Sequence, residues 1–135
     1  MKTVKQLLKK NPASVLVRID SDVPIVRSKI KDDHRLRKDL LTVQQLAKAV
    51  PKVIIIGHQG RPAATNFVFS EDSKYQGADQ SLKPVANYLA KKLGRSVNLI
   101  SGYKKIKSSD KGIFMLENLR FDGREKEGSK SFARE

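Results

Sequence analysis

The chain has 135 residues, of which 39% are hydrophobic and 31% charged, a composition typical of one globular domain. It contains no cysteine, which excludes disulfides, a thiolate nucleophile and a cysteine-based zinc site. The formal net charge of +14 predicts attraction to anions, either nucleic acid or small phosphorylated molecules.

The first half of the chain predicts two strands and two helices. A short helix over 3–10 precedes an apolar strand over 15–19. An amphipathic stretch then follows Asp32 and Asp33, which predicts a helix with an acidic first turn that ends before Pro51. The second strand, 52–57, is apolar throughout, as is typical of a strand buried on both faces of a parallel sheet.

The second half continues the alternation of helix and strand. The polar segment 63–80 predicts a long surface loop. A helix then follows with Ser81 as its N-cap and Pro84 in its first turn, and Gly94 ends it. Strands over 97–100 and 113–116 complete a β-α-β-α-β succession. This succession predicts an α/β domain with a mainly parallel sheet, in which ligands bind at the carboxyl ends of the strands.

Charged side chains follow the predicted strands at those ends. The stretch GHQGRP, 57–62, lets the backbone turn sharply after a buried strand, and LENLRF, 116–121, likewise delivers an arginine just past a strand. A guanidinium group binds carboxylate or phosphate with two parallel hydrogen bonds. The sequence therefore predicts a site for a small, multiply charged anion. The candidate residues are Asp20, Asp22, Arg35, His58, Arg61 and Arg120.

The two acidic residues after the first strand allow two other interpretations. An apolar strand followed by Asp-x-Asp resembles the first motif of the haloacid dehalogenase-like phosphatases, where Asp20 would attack phosphorus and Asp22 would protonate the leaving group. That family needs a later acidic pair after a strand, which this sequence lacks. A metal site at Asp20, Asp22, Asp32 and Asp33 would need more converging oxygen ligands. Capping and solvated roles are favoured, and no metal site is predicted.

Five motifs together resemble the amino-terminal half of phosphoglycerate kinase. They are VLVRIDSDVP, DDHRLRKDL, KVIIIGHQGRP, SLKPVANYLAKKLG and GIFMLENLRF, in the order and approximate spacing of that family. The resemblance implies a three-layer αβα, Rossmann-like fold. It also implies the glycolytic kinase that transfers a phosphoryl group between 1,3-bisphosphoglycerate and ADP, giving 3-phosphoglycerate and Mg-ATP. In that family the amino-terminal domain binds the phosphoglycerate, and the carboxyl-terminal domain binds the nucleotide.

The resemblance implies a role for each candidate residue. Asp20 and Asp22 would contact the substrate backbone. Arg35 would be catalytic, because it would stabilise charge on the transferring phosphoryl group, and it would also bind substrate. The residues that would hold phosphate or carboxylate are His58, Arg61 and Arg120.

Three positions depart from the family pattern. Asp-Ser-Asp replaces Asp-Phe-Asn, so Ser21 lacks an apolar anchor and Asp22 carries a charge where an amide is expected. A carboxylate there would repel an anionic substrate. Gln59 stands where the family has leucine, and we expect this change to be mild.

The end of the chain predicts an incomplete domain. GSKSFARE is typical of the opening of a helix, with Ser129 or Ser131 as its cap and Phe132 as its first buried residue. We therefore interpret 1–135 as a phosphoglycerate-binding domain that is incomplete at its C-terminal end, with the nucleotide-binding domain absent. Such a chain would bind no cofactor and would be inactive alone.

The alternative function belongs to a different class, a stand-alone and non-catalytic binder of phosphorylated metabolites or nucleic acid. Nucleic acid is the weaker choice, because only 6% of residues are aromatic and the basic residues are dispersed along the chain. The lack of cysteine, of a signal peptide and of a long apolar run predicts a cytoplasmic protein without membrane contact. We expect a monomer.

Overall fold

The structure is a computed structural model that describes residues 3–62 and 80–134. The strands are β1 Ser14–Arg18, β2 Ile25–Val26, β3 Lys29–Ile30, β4 Lys52–Ile56, β5 Val97–Ile100 and β6 Gly112–Leu116. The α-helices are α1 Val4–Leu8, α2 His34–Ala49, α3 Lys83–Leu93 and α4 Gly123–Lys126. Three short 3-10 helices are Tyr103–Lys105, Leu119–Phe121 and Phe132–Arg134. The loop predicted over 63–80 falls almost entirely outside the described residues.

Four strands form the main sheet, in the order β1-β4-β6-β5, and every pairing in it is parallel. Val17 lies opposite Ile55, and Ile55 lies opposite Met115. Helices connect β1 to β4 and β4 to β5, as parallel pairing requires. The predicted α/β class with a mainly parallel sheet is confirmed, and β4 occupies the interior position that its apolar run indicated.

Helix α2 has the predicted C-terminal end and a different start. Val50 caps its C-terminus directly before Pro51. The prediction of an acidic first turn is wrong, because Asp33 is the N-cap residue and no acidic residue lies in the first turn. Asp32 lies just before the helix and accepts a hydrogen bond from the backbone N–H of His34 at 2.9 Å. Both carboxylates therefore stand in front of the helix, but only that of Asp32 bonds to a backbone N–H there, since the Asp33 side chain makes no capping bond.

Helix α3 follows its prediction closely. Pro84 lies at the start of the helix, where its missing N–H breaks no intrahelical bond. Gly94 ends the helix in the left-handed conformation with φ of 62°, which a residue without a side chain adopts at little cost. The hydroxyl of Ser81 accepts from the N–H of Lys83 at 3.1 Å, although Leu82 occupies the cap position itself.

The hydrophobic core lies between one face of the sheet and helices α1 to α3. Val53, Ile55 and Met115 of the central strands are fully buried there, together with Val43 of α2 and Leu89 of α3. Each such side chain stabilises the fold by roughly 1.5–3 kcal/mol through its burial. This core fixes the direction of the strands and so places their carboxyl ends together.

The opposite face of the sheet is covered by short helical segments. Phe121 is fully buried on this side and packs with Leu116 and with partly buried residues of the 3-10 helices. An open groove of about 670 Å³ remains beside them, and Leu16 of β1, 61% exposed, lies in its wall. The described residues thus form a layer of α-helices, the sheet, and a thinner layer of helical turns. None of the described helices is both long and apolar enough to cross a membrane.

Strands β2 and β3 form a small antiparallel hairpin that the sequence pattern did not predict. Each strand has two residues, which is too short for an alternating pattern to be visible. Arg27 and Ser28 make the turn with φ of 49° and 60°. Positive φ at both central residues is the conformation of the two-residue turn that fits a twisted hairpin.

Candidate anion-binding site

Three loops meet at the carboxyl edge of the main sheet. Residues 19–24 follow β1, residues 57–62 follow β4, and residues 117–122 follow β6. The parallel pairing of β1 with β4 and of β4 with β6 brings these loops side by side. The structure therefore places the acidic pair, the Gly-His-Gln-Gly-Arg turn and Arg120 at one edge, and the first turn of α2 adds Arg35 to it.

The turn over 57–60 is held from the β6 side by two side chains. The amide of Asn118 donates to the carbonyl of Gln59 at 2.7 Å and to that of Gln80 at 2.9 Å. The guanidinium of Arg120 donates from Nη1 to the carbonyl of Gly60 at 2.7 Å. Gly60 has φ of 59°, a conformation that glycine adopts without strain. Arg120 is consequently anchored by the same turn that carries His58.

Asp22 joins this turn from the β1 side. Its Oδ1 accepts from the backbone N–H of Gly60 at 2.9 Å, and its Oδ2 lies 4.0 Å from Nε2 of His58. The side chain of His58 is 18% exposed and that of Asp22 is 38% exposed. The main contact of the Asp22 carboxylate is therefore its hydrogen bond from the backbone N–H of Gly60. Its electrostatic interaction with the His58 imidazole is weaker.

The charge state of His58 is set by burial and by its neighbours. Burial lowers the pKa of His58 below its ordinary value of 6.5, and the nearby Arg120 charge lowers it further. Asp22 raises this pKa in opposition, while Arg18 adds to the lowering. The imidazole is therefore mainly neutral near pH 7, and an anion bound beside it would favour its protonation.

Asp20 and Arg35 form a second and more exposed group. Nη1 of Arg35 lies 3.3 Å from Oδ2 of Asp20, and the two side chains are 55% and 50% exposed. The backbone N–H of Asp20 donates to Oδ2 of Asp39 at 2.8 Å, which ties the loop after β1 to helix α2. Arg35 thus reaches the strand edge from a helix and already has a carboxylate partner there.

Arg61 differs from the other candidate cations. It is exposed, and its guanidinium makes no hydrogen bond or ion pair with any residue of the described ranges. Its backbone continues the turn that carries His58 and Gly60, so it lies beside the site without being fixed in it. A ligand would have to order this side chain on binding.

Ser21 and Gln59 are both buried and hydrogen-bonded, which the sequence did not predict. Ser21 is completely buried, and its hydroxyl donates to the carbonyl of His58 at 2.7 Å. Gln59 is 9% exposed; its amide donates to the carbonyl of Val23 at 2.8 Å and accepts from the N–H of Val23 at 3.2 Å. Both side chains form hydrogen bonds between the two loops.

Four further residues shape this edge, and none of them was assigned a role from the sequence, although Asn118 was expected at a strand end. Arg18 ends β1, and its charge acts on His58. Glu117 is 5% exposed and accepts from Ser81 Oγ and from two backbone N–H groups. Asn118 and Asp39 fix backbone, as described above. The only visible signal was the alternation in Val17-Arg18-Ile19 and the polar Glu-Asn pair directly after an apolar strand.

The acidic alternatives are not assembled in the structure. Each carboxylate has its own partner: Asp32 binds a backbone N–H, and Asp33 accepts from the Tyr88 hydroxyl and pairs with Arg37. Over residues 3–62 and 80–134, no group of three or more His, Asp or Glu side chains is arranged to hold a metal ion. Nitrogen donors of Arg35, His58 and Arg120 lie at this edge beside the carboxylates of Asp20 and Asp22.

The fold is an α/β domain with arginine, histidine and aspartate side chains gathered at the carboxyl ends of its parallel strands. The sequence model of the phosphoglycerate kinase family matches residues 5–135, and the chain therefore belongs to this family of phosphotransferases. A phosphoglycerate kinase of Borreliella burgdorferi (strain ZS7) is 35% identical over 141 residues, which cover 99% of this chain and 33% of that protein. One from Wolbachia sp. subsp. Drosophila simulans (strain wRi) is 37% identical over 123 residues, 90% of this chain and 30% of that protein.

Solved structures agree with this assignment. The phosphoglycerate kinase of Coxiella burnetii matches with a TM-score of 0.63 and 34% identity, covering 81% of this chain and 26% of that chain. The enzyme of Pyrococcus horikoshii OT3 also gives a TM-score of 0.63, at 29% identity. The family resemblance carried by the five motifs is confirmed. The chain spans about a third of the length of the curated relatives it matches.

Proposed function

We propose that this chain is the phosphoglycerate-binding part of a phosphoglycerate kinase. Its ligand would be 3-phosphoglycerate or 1,3-bisphosphoglycerate, bound at the carboxyl edge of the sheet. The observation that supports this best is the hydrogen bond from Arg120 to the carbonyl of Gly60. Gly60 directly precedes Arg61, and the charge of Arg120 acts on the nearby His58. A guanidinium held in place before the ligand arrives loses little conformational freedom on binding.

The anion would be divided between the two groups of side chains. His58, Arg61 and Arg120 would hold one charged end, where a phosphate or carboxylate raises the pKa of the imidazole and gains a further donor. Asp20 and Asp22 would accept hydrogen bonds from the hydroxyl of the three-carbon backbone. Asp22 also carries a negative charge toward an anionic ligand, so we expect binding to be weak.

In the kinase reaction the bond between the carboxyl oxygen and phosphorus of 1,3-bisphosphoglycerate breaks, and an oxygen of ADP forms the new bond to phosphorus. Arg35 would neutralise charge on the equatorial oxygens during this transfer. It lies 3.3 Å from Asp20, so a phosphoryl oxygen would share the guanidinium with that carboxylate. Phosphoryl transfer relies mainly on such positioning and charge neutralisation, so no covalent intermediate on the protein is expected.

The family uses Mg-nucleotide. The described residues of this chain offer no cluster of metal ligands. We therefore propose that nucleotide and magnesium bind elsewhere in the complete enzyme, and that this chain alone binds phosphoglycerate without turnover. We further propose a cytoplasmic monomer.

Calorimetry with 3-phosphoglycerate tests the proposed function. We expect weak binding, with a clearly lower affinity for inorganic phosphate or glycerate, because each satisfies only half of the site. A short oligonucleotide at physiological salt serves as the competing ligand. Binding of the oligonucleotide without binding of 3-phosphoglycerate would favour the non-catalytic nucleic-acid binder and overturn the proposal.

A further inference from the structure

Three side chains, those of Ser21, Asp22 and Gln59, join the loop after β1 to the turn after β4. Ser21 Oγ donates to the carbonyl of His58, and Asp22 Oδ1 accepts from the N–H of Gly60. Between them, the amide of Gln59 makes two hydrogen bonds to the backbone of Val23. These four bonds bridge residues 36 to 38 positions apart in the sequence.

The junction is buried and closely packed. Ser21 is 0% exposed, Val23 is 3% exposed and Gln59 is 9% exposed. A Cβ atom placed on Gly57 would lie 2.2 Å from the Ser21 hydroxyl, so even alanine at that position would displace the serine. Hydrogen bonds removed from such a site leave polar backbone groups without water to replace their partners. The two loops therefore have one well-defined arrangement.

The other side of the same turn carries the anion-binding groups. Gly60 receives the Arg120 guanidinium on its carbonyl and gives its N–H to Asp22, so one peptide segment connects that arginine to the junction. His58 gives its carbonyl to the Ser21 hydroxyl, and Nε2 of its ring lies 4.0 Å from Oδ2 of Asp22. A shift of the turn would consequently move His58 and Arg120 together.

We propose that Ser21, Asp22 and Gln59 form a positioning clip, which sets the placement of His58 and Arg120 toward the ligand. All three side chains bond to backbone atoms of the facing loop, so the junction is polar. This inference rests on the proposed function for its ligand. The mechanical link from the clip to Arg120 does not depend on any ligand.

The test uses two substitutions at one residue. Gln59→Leu and Gln59→Met remove both bonds to Val23, and the unbranched methionine keeps the length of the glutamine. Gln45→Leu is the matched control, because Gln45 is exposed on helix α2. Ser21→Ala is a milder second variant that removes one bond without adding volume.

The first measurement is hydrogen exchange of the Gly60 amide, which bonds to Asp22 and not to the Gln59 side chain. We expect about tenfold faster exchange in both Gln59 variants, a smaller change in Ser21→Ala and none in Gln45→Leu. The NMR signal of the Arg120 guanidinium should shift in the same variants. Unchanged exchange and an unchanged arginine signal would overturn the clip, as would a methionine variant that behaves like the unsubstituted chain.

The second measurement is affinity for 3-phosphoglycerate, which we expect to fall about tenfold in Gln59→Leu and to stay constant in Gln45→Leu. Faster Gly60 exchange with unchanged affinity would show a purely structural junction and overturn the positioning role. If the unsubstituted chain binds no 3-phosphoglycerate, the proposed function fails. The exchange rate and the arginine signal still decide the clip in that case, because neither requires ligand.

Discussion

The two groups of charged residues at the strand ends are held in different ways. His58 is part of the turn over 57–60, and its side chain is 18% exposed. Arg120 donates to the carbonyl of Gly60 in the same turn. Arg35 and Asp20 are 55% and 50% exposed and contact mainly each other. The first group is ordered before any ligand arrives, whereas the second must exchange a solvated ion pair for ligand contacts. Their contributions to affinity and to stability should therefore separate.

Arg120→Ala should have the largest effect, on affinity and stability together. It removes an anchored cation, so binding of 3-phosphoglycerate should become undetectable by calorimetry. It also leaves the Gly60 carbonyl without its donor, which should lower the free energy of unfolding by about 1–2 kcal/mol in urea titrations. Lys111→Ala, an exposed charge before β6 at the opposite edge of the sheet, is the control. Unchanged affinity for the ligand would contradict the assignment of Arg120.

Arg61→Ala should separate affinity from stability. We expect this substitution also to abolish binding of 3-phosphoglycerate. The free energy of unfolding should change by less than about 0.5 kcal/mol, because Arg61 is exposed and makes no polar contact with the described residues. Calorimetry and urea unfolding on the same preparation measure both quantities. A loss of stability as large as that of Arg120→Ala would show that the two arginines are not held differently.

Asp22→Asn should tighten binding of 3-phosphoglycerate by about three- to tenfold. The amide oxygen can still accept from the N–H of Gly60, while the substitution removes a negative charge facing an anion and adds a donor. Because the backbone bond is retained, stability should stay nearly constant. Asp110→Asn, on the loop before β6, removes the same charge away from the site. Weaker binding in Asp22→Asn would contradict the repulsion that the sequence predicts.

Acidification should lower the stability of the folded chain through protonation of His58. Its folded-state pKa lies below the ordinary value of 6.5, chiefly because of burial and then Arg120. Above that value both states are neutral, and stability does not depend on this residue. As the pH falls from there to the folded pKa, the unfolded state takes up the proton first and stability decreases. His58→Gln should remove this part of the pH dependence in unfolding measurements between about pH 7.5 and about pH 5.

The same titration distinguishes the neighbours of His58. In Asp22→Asn the imidazole loses the carboxylate that raises its pKa, so NMR should report a lower value than in the unsubstituted chain. An unchanged or higher pKa would show that the carboxylate does not act on the ring at the 4.0 Å separation.

Arg35→Ala should have little effect on stability. An exposed ion pair contributes little in water, so the free energy of unfolding should change by less than about 0.5 kcal/mol, and added salt should reduce the difference further. Arg37→Ala removes the neighbouring pair with Asp33 on the same helix and provides a comparison. A loss above about 1 kcal/mol would show that the pair with Asp20 is part of the ordered group.

Much of the fold was predictable because its signals are local. The apolar runs, the proline and glycine at the helix ends and the alternation of helix with strand indicated the main strands and both long helices. The β2–β3 hairpin and the four-residue helix α4 were not predicted, because each is too short for a periodic pattern. The acidic residues before α2 were placed in its first turn, whereas Asp33 is the N-cap and Asp32 precedes it, a difference of one or two residues that the pattern alone does not resolve.

By itself, the sequence determined the alternation of elements, the family and the edge at which the charged residues gather. Those follow from local spacing and from the rule that parallel strands end on the same side. Only the tertiary structure decided the strand order β1-β4-β6-β5 and the hydrogen bond from Arg120 to the Gly60 carbonyl. It also decided the hydrogen bonds of Ser21 and Gln59 to the facing loops. The physical reason is distance along the chain: the bonding partners are 36 to 60 residues apart, and no local pattern specifies which buried polar group will meet which.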